Sequence, residues 1–257
     1  MDAERELLFD ANGDIGFITL NRPRARNALT FGMYERLAEI CSDPPQGLNA
    51  LVITGAGDKA FAAGTDISQF RTFEGPRDAI EYEQRIDRVL STVESCPLPL
   101  IASIAGACTG GGAAIAAACD IRLATSDLKF GFPIARTLGN CLSAASLARL
   151  SALLGAGRVR EIIFTSRLIG AGEALAAGLI SEILPDRQHL FIRALELAKH
   201  VAAQAPLTLR ATKEVQRRLA INRVEDEDMI TMCYGSEDFR EGIEAFFDKR
   251  KPQWKGK

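Results

Sequence analysis

Two turns of small residues hold the positions best suited to chemistry in this 257-residue chain. One is DKAFAAGTDISQF (58–70), which leaves the strand-like run ALVITG through Ala62, Ala63 and Gly64. Small side chains there open backbone N–H groups to close approach by a ligand, although an ordinary tight turn has the same composition. The other is TGGGAAIAAACD (109–120), with three glycines at the mouth of an alanine-rich helix and no proton-moving side chain behind them. Free N–H groups at the positive end of a helix suit a carboxylate, a phosphate or a developing oxyanion. No Lys-Ser/Thr pair follows, and the GxGxxG spacing is absent, so neither a P-loop nor a dinucleotide-binding turn is indicated.

The remaining reactive residue types are scattered. Cysteines stand at 41, 96, 108, 119, 141 and 233, without a CxxC pair and mostly inside apolar runs, which reads as buried, reduced thiols. His189 and His200 have no neighbouring pattern of metal-ligand type, so no metal is expected. The formal net charge of -2 gives no overall basic field for nucleic acid. Basic residues concentrate locally in NRPRARNAL and DKRKPQWKGK, leaving room for a small polyanionic ligand. Met1 is followed by Asp2, Glu4, Arg5 and Glu6, unlike a secretory or transit segment, and no apolar run approaches the ~20 residues of a membrane span. The chain reads as soluble and cytoplasmic.

These turns need strands and helices to hold them. Short β-rich runs recur at 15–20, 50–55, 98–104, 121–124, 128–132 and 180–184, with helical patterns at 30–41, 76–94, after Gly112 and at 171–178. Such alternation predicts an α/β architecture. After Pro185 the strand signals stop, and helices are expected over about 187–204, 206–221 and 224–248, with a break near Gly235.

Taken together, these stretches resemble the crotonase superfamily, the enoyl-CoA hydratase/isomerase family. ITLNRPRARNAL resembles its N-terminal strand and CoA-binding turn, and KAFAAGTDI its first oxyanion loop. The glycine triplet with CDIRLATSDLKFGFP resembles the second loop and the strands after it, residues 172–180 the EAxxxGLV segment, and EGIEAFFDKRKPQWKGK the C-terminal helix. The similarity covers essentially the whole chain. It implies a spiral of β-β-α units over 1–190 carrying the CoA site. It also implies an all-helical trimerisation region over 191–257 that completes a CoA site, and a homotrimer or a pair of trimers.

The resemblance further implies roles. The thioester carbonyl would sit between the backbone N–H groups of Thr65 and Gly111. Arg24, Ala25, Arg26 and Lys59 would meet the CoA nucleotide, with Phe246 and Lys249 from the C-terminal helix, and Ala63, Asp66, Ile67 and Ser68 would line the pantetheine and adenine path. No cofactor is expected beyond the coenzyme A of the substrate. Two family glutamates that handle water correspond here to Ala114 and Ile134, and ARTLGNCLSAAS departs from the usual continuation. Arg136, Thr137, Asn140, Cys141 and Ser143 are therefore expected in the pocket wall.

A relocated acid or base is sought among Cys141, Asp66, Glu81, Glu83 and Asp87. Cys141, with no histidine close in sequence, reads more readily as a packed thiol, and Asp66 as a loop-ordering residue. Arg136 suits a substrate carboxylate or an ion pair across a subunit contact. Two alternatives stay open: decarboxylation of a malonyl-type thioester, which needs no general base, and an acyl-CoA-binding pseudoenzyme.

Overall fold

The run ALVITG is apolar on both faces, and a strand of that kind needs cover on both sides. A computed structural model, which describes residues 2–220, 223 and 225–257, shows how that cover is arranged. A short helix, α1 (Asp2–Glu6), leads into the hairpin β1 (Leu7–Asn12) and β2 (Ile15–Leu20), followed by α2 (Phe31–Ser42). Three β-β-α units come next. They are β3 (Ala50–Gly55), β4 (Ala60–Ala63) and α3 (Pro76–Glu94); β5 (Leu100–Ile104), β6 (Ala107–Thr109) and α4 (Gly111–Ala118); and β7 (Ile121–Thr125), β8 (Lys129–Gly131) and α5 (Ile134–Thr137). Helices α6 (Ala144–Leu154) and α7 (Ala156–Thr165), strand β9 (Ile169–Gly170), α8 (Ala171–Ala176), β10 (Glu182–Leu184) and α9 (Arg187–Ala202) complete the body. The C-terminal region holds α10 (Pro206–Ala220), α11 (Glu227–Tyr234) and α12 (Glu237–Asp248).

The first strand of each unit enters one sheet and the second strand enters another. The order in the larger sheet is β1-β2-β3-β5-β7-β10, parallel except for β1 against β2, and in the smaller it is β4-β6-β8-β9. The chain thus winds as the spiral of β-β-α units that the resemblance implies.

Side-chain alternation along β3 explains the double cover. Ala50 and Val52 pack with Ile15, Ile101 and Leu123 against Leu190, Ala194 and Ala198 of α9. Leu51 and Ile53 face the larger core, which takes in Leu37, Phe61, Leu90 and Ile115. Fully burying a side chain such as Leu190 contributes ~1.5–3 kcal/mol.

The expected boundary at residue 190 falls inside α9, whose buried residues belong to the sheet's cover, so the chain leaves the sheet only after that helix. The helices expected over 206–221 and 224–248 appear as α10, α11 and α12, with a break where Ser236 caps α12; Ile221, Asn222 and Val224 lie outside the described residues. No strand or helix signal over 144–165 stands out in the sequence. Two helices fill it, and their signals were present in Ser143, which caps α6, and Gly155, which separates α6 from α7.

Candidate functional site

The ends of β4 and β6 lie side by side, Ala63 paired with Thr109, so both small-residue turns leave the smaller sheet at one place. Gly64 (φ +100°) and Gly110 (φ +53°) occupy the positive-φ region open to glycine, and both segments turn there. Gly112 then brings the start of α4 so close to β4 that a Cβ would lie 2.3 Å from the Ala62 carbonyl oxygen. The first intrahelical bond of α4 runs from the Ala114 N–H to the Gly110 carbonyl, 2.9 Å, so the Gly111 N–H lies ahead of the helical ladder. Beside it, the Leu29 N–H donates to the Gly64 carbonyl and the Asp66 N–H donates to the Leu29 carbonyl, each 2.8 Å. Among the described residues, neither the Thr65 nor the Gly111 N–H has a backbone acceptor outside regular elements.

These groups line a cavity of about 210 Å³. Ala114 and Ile134 are both on its wall, as are Ile86, Phe132 and Leu142, which gives it an apolar interior. Among the described residues Glu83 is its one lining carboxylate, projecting from α3. Burial pushes the Glu83 carboxyl up, and the nearby Asp87 charge pushes it further, while a hydrogen bond from the Ser143 backbone pulls the other way. Asp87 is held in turn by the Ser143 hydroxyl, which donates to Oδ1 at 2.6 Å while its oxygen caps α6 by accepting from the Ser146 N–H at 3.1 Å. One serine therefore fixes the wall segment before α6 against two acids one helical turn apart on α3.

The other candidates separate clearly. Thr65, Gly111, Ala63 and Ile67 line the cavity, as do Thr137 and Asn140. Arg136, on α5, and Cys141, in the loop between α5 and α6, are exposed and are not among its lining residues. Ser143 acts behind the wall through its hydrogen bonds. Asp66 is not a lining residue either. Its carboxylate accepts from the Ser68 hydroxyl (2.7 Å) and from Arg22 (2.8 Å), contacts that hold it below the usual carboxylate range and make it a loop-ordering group. Glu81 is exposed and pairs with Arg77 at 3.3 Å.

Arg24, Ala25, Arg26 and Lys59 are exposed near one another's loops. Buried Asn27 (φ +56°) staples this region: its Nδ2 donates to the carbonyls of Ala56 (2.9 Å) and Ala60 (2.8 Å), and its Oδ1 accepts from the Arg22 N–H (2.9 Å). The Ala63 N–H donates to the Arg26 carbonyl at 3.0 Å, which ties the basic turn to the cavity's edge. Ser68 is exposed beside Asp66, Phe246 is on α12 and Lys249 caps its C-terminal end; none of the three lines the cavity. Phe246 instead lines a second, apolar pocket with Trp254 and Phe239.

Sequence reasoning missed two tyrosines on the cavity wall, Tyr34 from α2 and Tyr82 from α3. Their hydroxyls lie 2.9 Å and 3.1 Å from Thr65 Oγ1. Burial raises the pKa of both phenols, so both stay protonated. A Cβ on Gly111 would fall 2.0 Å from the Tyr34 hydroxyl. Only a glycine lets that phenol reach Thr65. The available signal was a tyrosine within each helical pattern, but periodicity alone assigns such a residue to the core.

Among the described residues no group of three or more His, Cys, Asp or Glu side chains could hold a metal ion, and no helix is long and apolar enough to cross a membrane.

A family model described as Enoyl-CoA hydratase/isomerase matches residues 10–257. The short-chain-enoyl-CoA hydratase of Clostridium acetobutylicum is 33% identical over 260 residues, covering 95% of each chain. An enoyl-CoA hydratase/carnithine racemase structure from Magnetospirillum magneticum superposes with a TM-score of 0.89 at 34% identity, covering 98% of this chain and 96% of that one. The enoyl-CoA hydratase structure from Bacillus anthracis gives 0.86 at 30% identity, over 98% of this chain and 100% of that one.

Proposed function

Since the chain belongs to the enoyl-CoA hydratase/isomerase family, we propose that it binds an acyl-CoA thioester, stabilises its enolate with backbone N–H groups, and moves the proton with Glu83. The N–H groups of Thr65 and Gly111 are the donors for the thioester oxygen, and preorganised donors of this kind supply several kcal/mol of transition-state stabilisation. The observation that carries the proposal is the placement of Glu83, the one carboxylate among the described residues lining the cavity that contains both turns. A carboxyl raised by burial has the character of a general acid or base working nearer neutral pH. It stands in for the carboxylates whose positions the resemblance assigns to Ala114 and Ile134. Its presence favours proton-transfer chemistry, hydration or isomerisation of an enoyl-CoA, over a decarboxylase or a pseudoenzyme.

The basic turn around Arg24, Arg26 and Lys59 is the proposed contact for the anionic nucleotide of coenzyme A, which is the only cofactor-like group required. The apolar, aromatic exposure of the C-terminal helices supports a homotrimer or a pair of trimers, in which Phe246 and Lys249 reach a neighbouring site. The six free cysteines fit a cytoplasmic protein.

The test is a panel of crotonyl-CoA, longer trans-2-enoyl-CoAs, 3-hydroxyacyl-CoAs and malonyl-type CoAs, with product masses followed for wild type and Glu83→Gln. Turnover of an enoyl or 3-hydroxyacyl thioester that falls ~10²–10⁴-fold in the variant, with binding retained, is expected. Unchanged turnover in Glu83→Gln removes the residue from the mechanism, and loss of CO₂ selects the decarboxylase reading.

A further inference from the structure

Thr65 contributes more than its N–H. Its Oγ1 is the junction of a three-hydroxyl chain in which Tyr34 Oη and Tyr82 Oη each lie within hydrogen-bond distance of it, at 2.9 and 3.1 Å. Three hydroxyls carry three protons, and two hydrogen bonds use two of them. One O–H is left without an acceptor inside the trio.

The chemistry of the three groups decides which proton that is. A phenol is more acidic than an aliphatic hydroxyl and is the stronger donor, while a threonine oxygen has two lone pairs with which to accept from two donors. With both phenols donating to Thr65, the free O–H is that of Thr65 itself, on a residue that lines the cavity.

Neither phenol can readily leave this arrangement. Tyr34 is 1% exposed, and its hydroxyl is packed against Gly111. The Tyr82 ring is clamped by Phe31, Phe70 and Phe73, with centroids 5.8, 4.9 and 6.0 Å away.

We infer that the Thr65 hydroxyl, oriented by the phenols of Tyr34 and Tyr82, is a third donor to the substrate oxygen bound by the N–H groups of Thr65 and Gly111. The inference rests on the acyl-CoA reading above. A neutral thioester carbonyl has two lone pairs, and the two N–H groups occupy them. The enolate oxygen has a third. The hydroxyl bond therefore reaches full strength only as charge develops, and an interaction made in the transition state raises kcat rather than lowering KM. Thr65 is thus a catalytic residue through its side chain as well as its backbone, and Tyr34 and Tyr82 are positioning residues.

Acetoacetyl-CoA tests this, because its enolate has a distinct ultraviolet absorbance that reports the pH at which the bound ligand ionises. Thr65→Val preserves side-chain shape and the backbone N–H but removes the hydroxyl. It is expected to move that ionisation about one pH unit upward and to lower kcat roughly tenfold, with KM and low-pH affinity little changed. Thr65→Ser restores the wild-type titration, and the double variant Tyr34→Phe with Tyr82→Phe, which frees the hydroxyl to rotate, shifts it part of the way.

A wild-type titration in Thr65→Val overturns the inference. Glu83→Gln, run in parallel, keeps the two claims apart: loss of turnover there with an unchanged enolate titration upholds Glu83 whatever Thr65→Val does. Wild-type protein that binds no acyl thioester overturns the inference together with the reading beneath it.

Discussion

Glu83 carries opposite consequences for activity and for stability. Burial and the Asp87 charge raise its carboxyl, so the folded chain holds that proton more tightly than the unfolded chain. Below the unfolded value of about 4.3 both states are protonated and the site costs nothing through this group. As pH rises from there towards the folded pKa, the unfolded carboxyl ionises while the folded one keeps its proton, which removes stability, and the loss is constant above the folded pKa. Glutamine is neutral throughout. Glu83→Gln should therefore melt above wild type at pH 7, the gap closing on acidification through the carboxylate range. Thermal melts at pH 7 and pH 4 check this, and a gap that widens at low pH contradicts it. A stabilised but slow variant is what a strained functional group predicts.

At the scale of elements, the site depends on loops held rigidly against one another. The turn before α2 is fixed by Asn27, whose side chain makes three hydrogen bonds in a fully buried setting and whose backbone adopts a left-handed conformation that asparagine tolerates. Through the Ala63-to-Arg26 bond and the Leu29 bonds to Gly64 and Asp66, that turn sets the position of Thr65. Asn27→Ala is expected to cost about 3 kcal/mol in denaturant unfolding, because the buried carbonyl of Ala60 and the part-buried carbonyl of Ala56 lose their donors. It should also weaken acyl-CoA affinity by loosening both the basic turn and the Thr65 loop. A variant with wild-type unfolding would show that the turn is held by its backbone alone.

For the whole molecule, the C-terminal helices leave an unusual amount of aromatic surface in water: Phe246 is 79% exposed, Phe247 76% and Tyr234 65%. Phe246 and Phe247 line one apolar pocket with Phe239, and an exposed apolar patch of this kind signals an interaction site. Light scattering of the wild type should give the mass of a trimer or a pair of trimers. Phe246→Ser combined with Phe247→Ser should lower that mass while leaving the circular dichroism of the α/β body intact. A monomeric wild type would contradict the proposed assembly.

The linear order of residues was enough to determine the alternation of strands and helices, the two small-residue turns and the family pattern, because each depends on neighbours a few positions apart. Gly64 and Gly110–Gly112 were legible for that reason: a positive φ or a close backbone approach demands glycine wherever the chain goes next. Which polar side chain serves those turns was decided only by tertiary packing. Glu81, Glu83 and Asp87 share one helix, yet Glu81 pairs with Arg77 at the surface, Asp87 is taken by Ser143, and Glu83 alone lines the cavity. Asp66 and Cys141 were also candidates as letters, but Arg22 and Ser68 claim the first, and the second is exposed to solvent. The Tyr34–Thr65–Tyr82 trio joins residues 31 and 17 positions apart, a distance over which no local periodicity carries information. A helical pattern fixes the angle between its side chains, but which of those angles faces a ligand depends on what the rest of the chain packs against it.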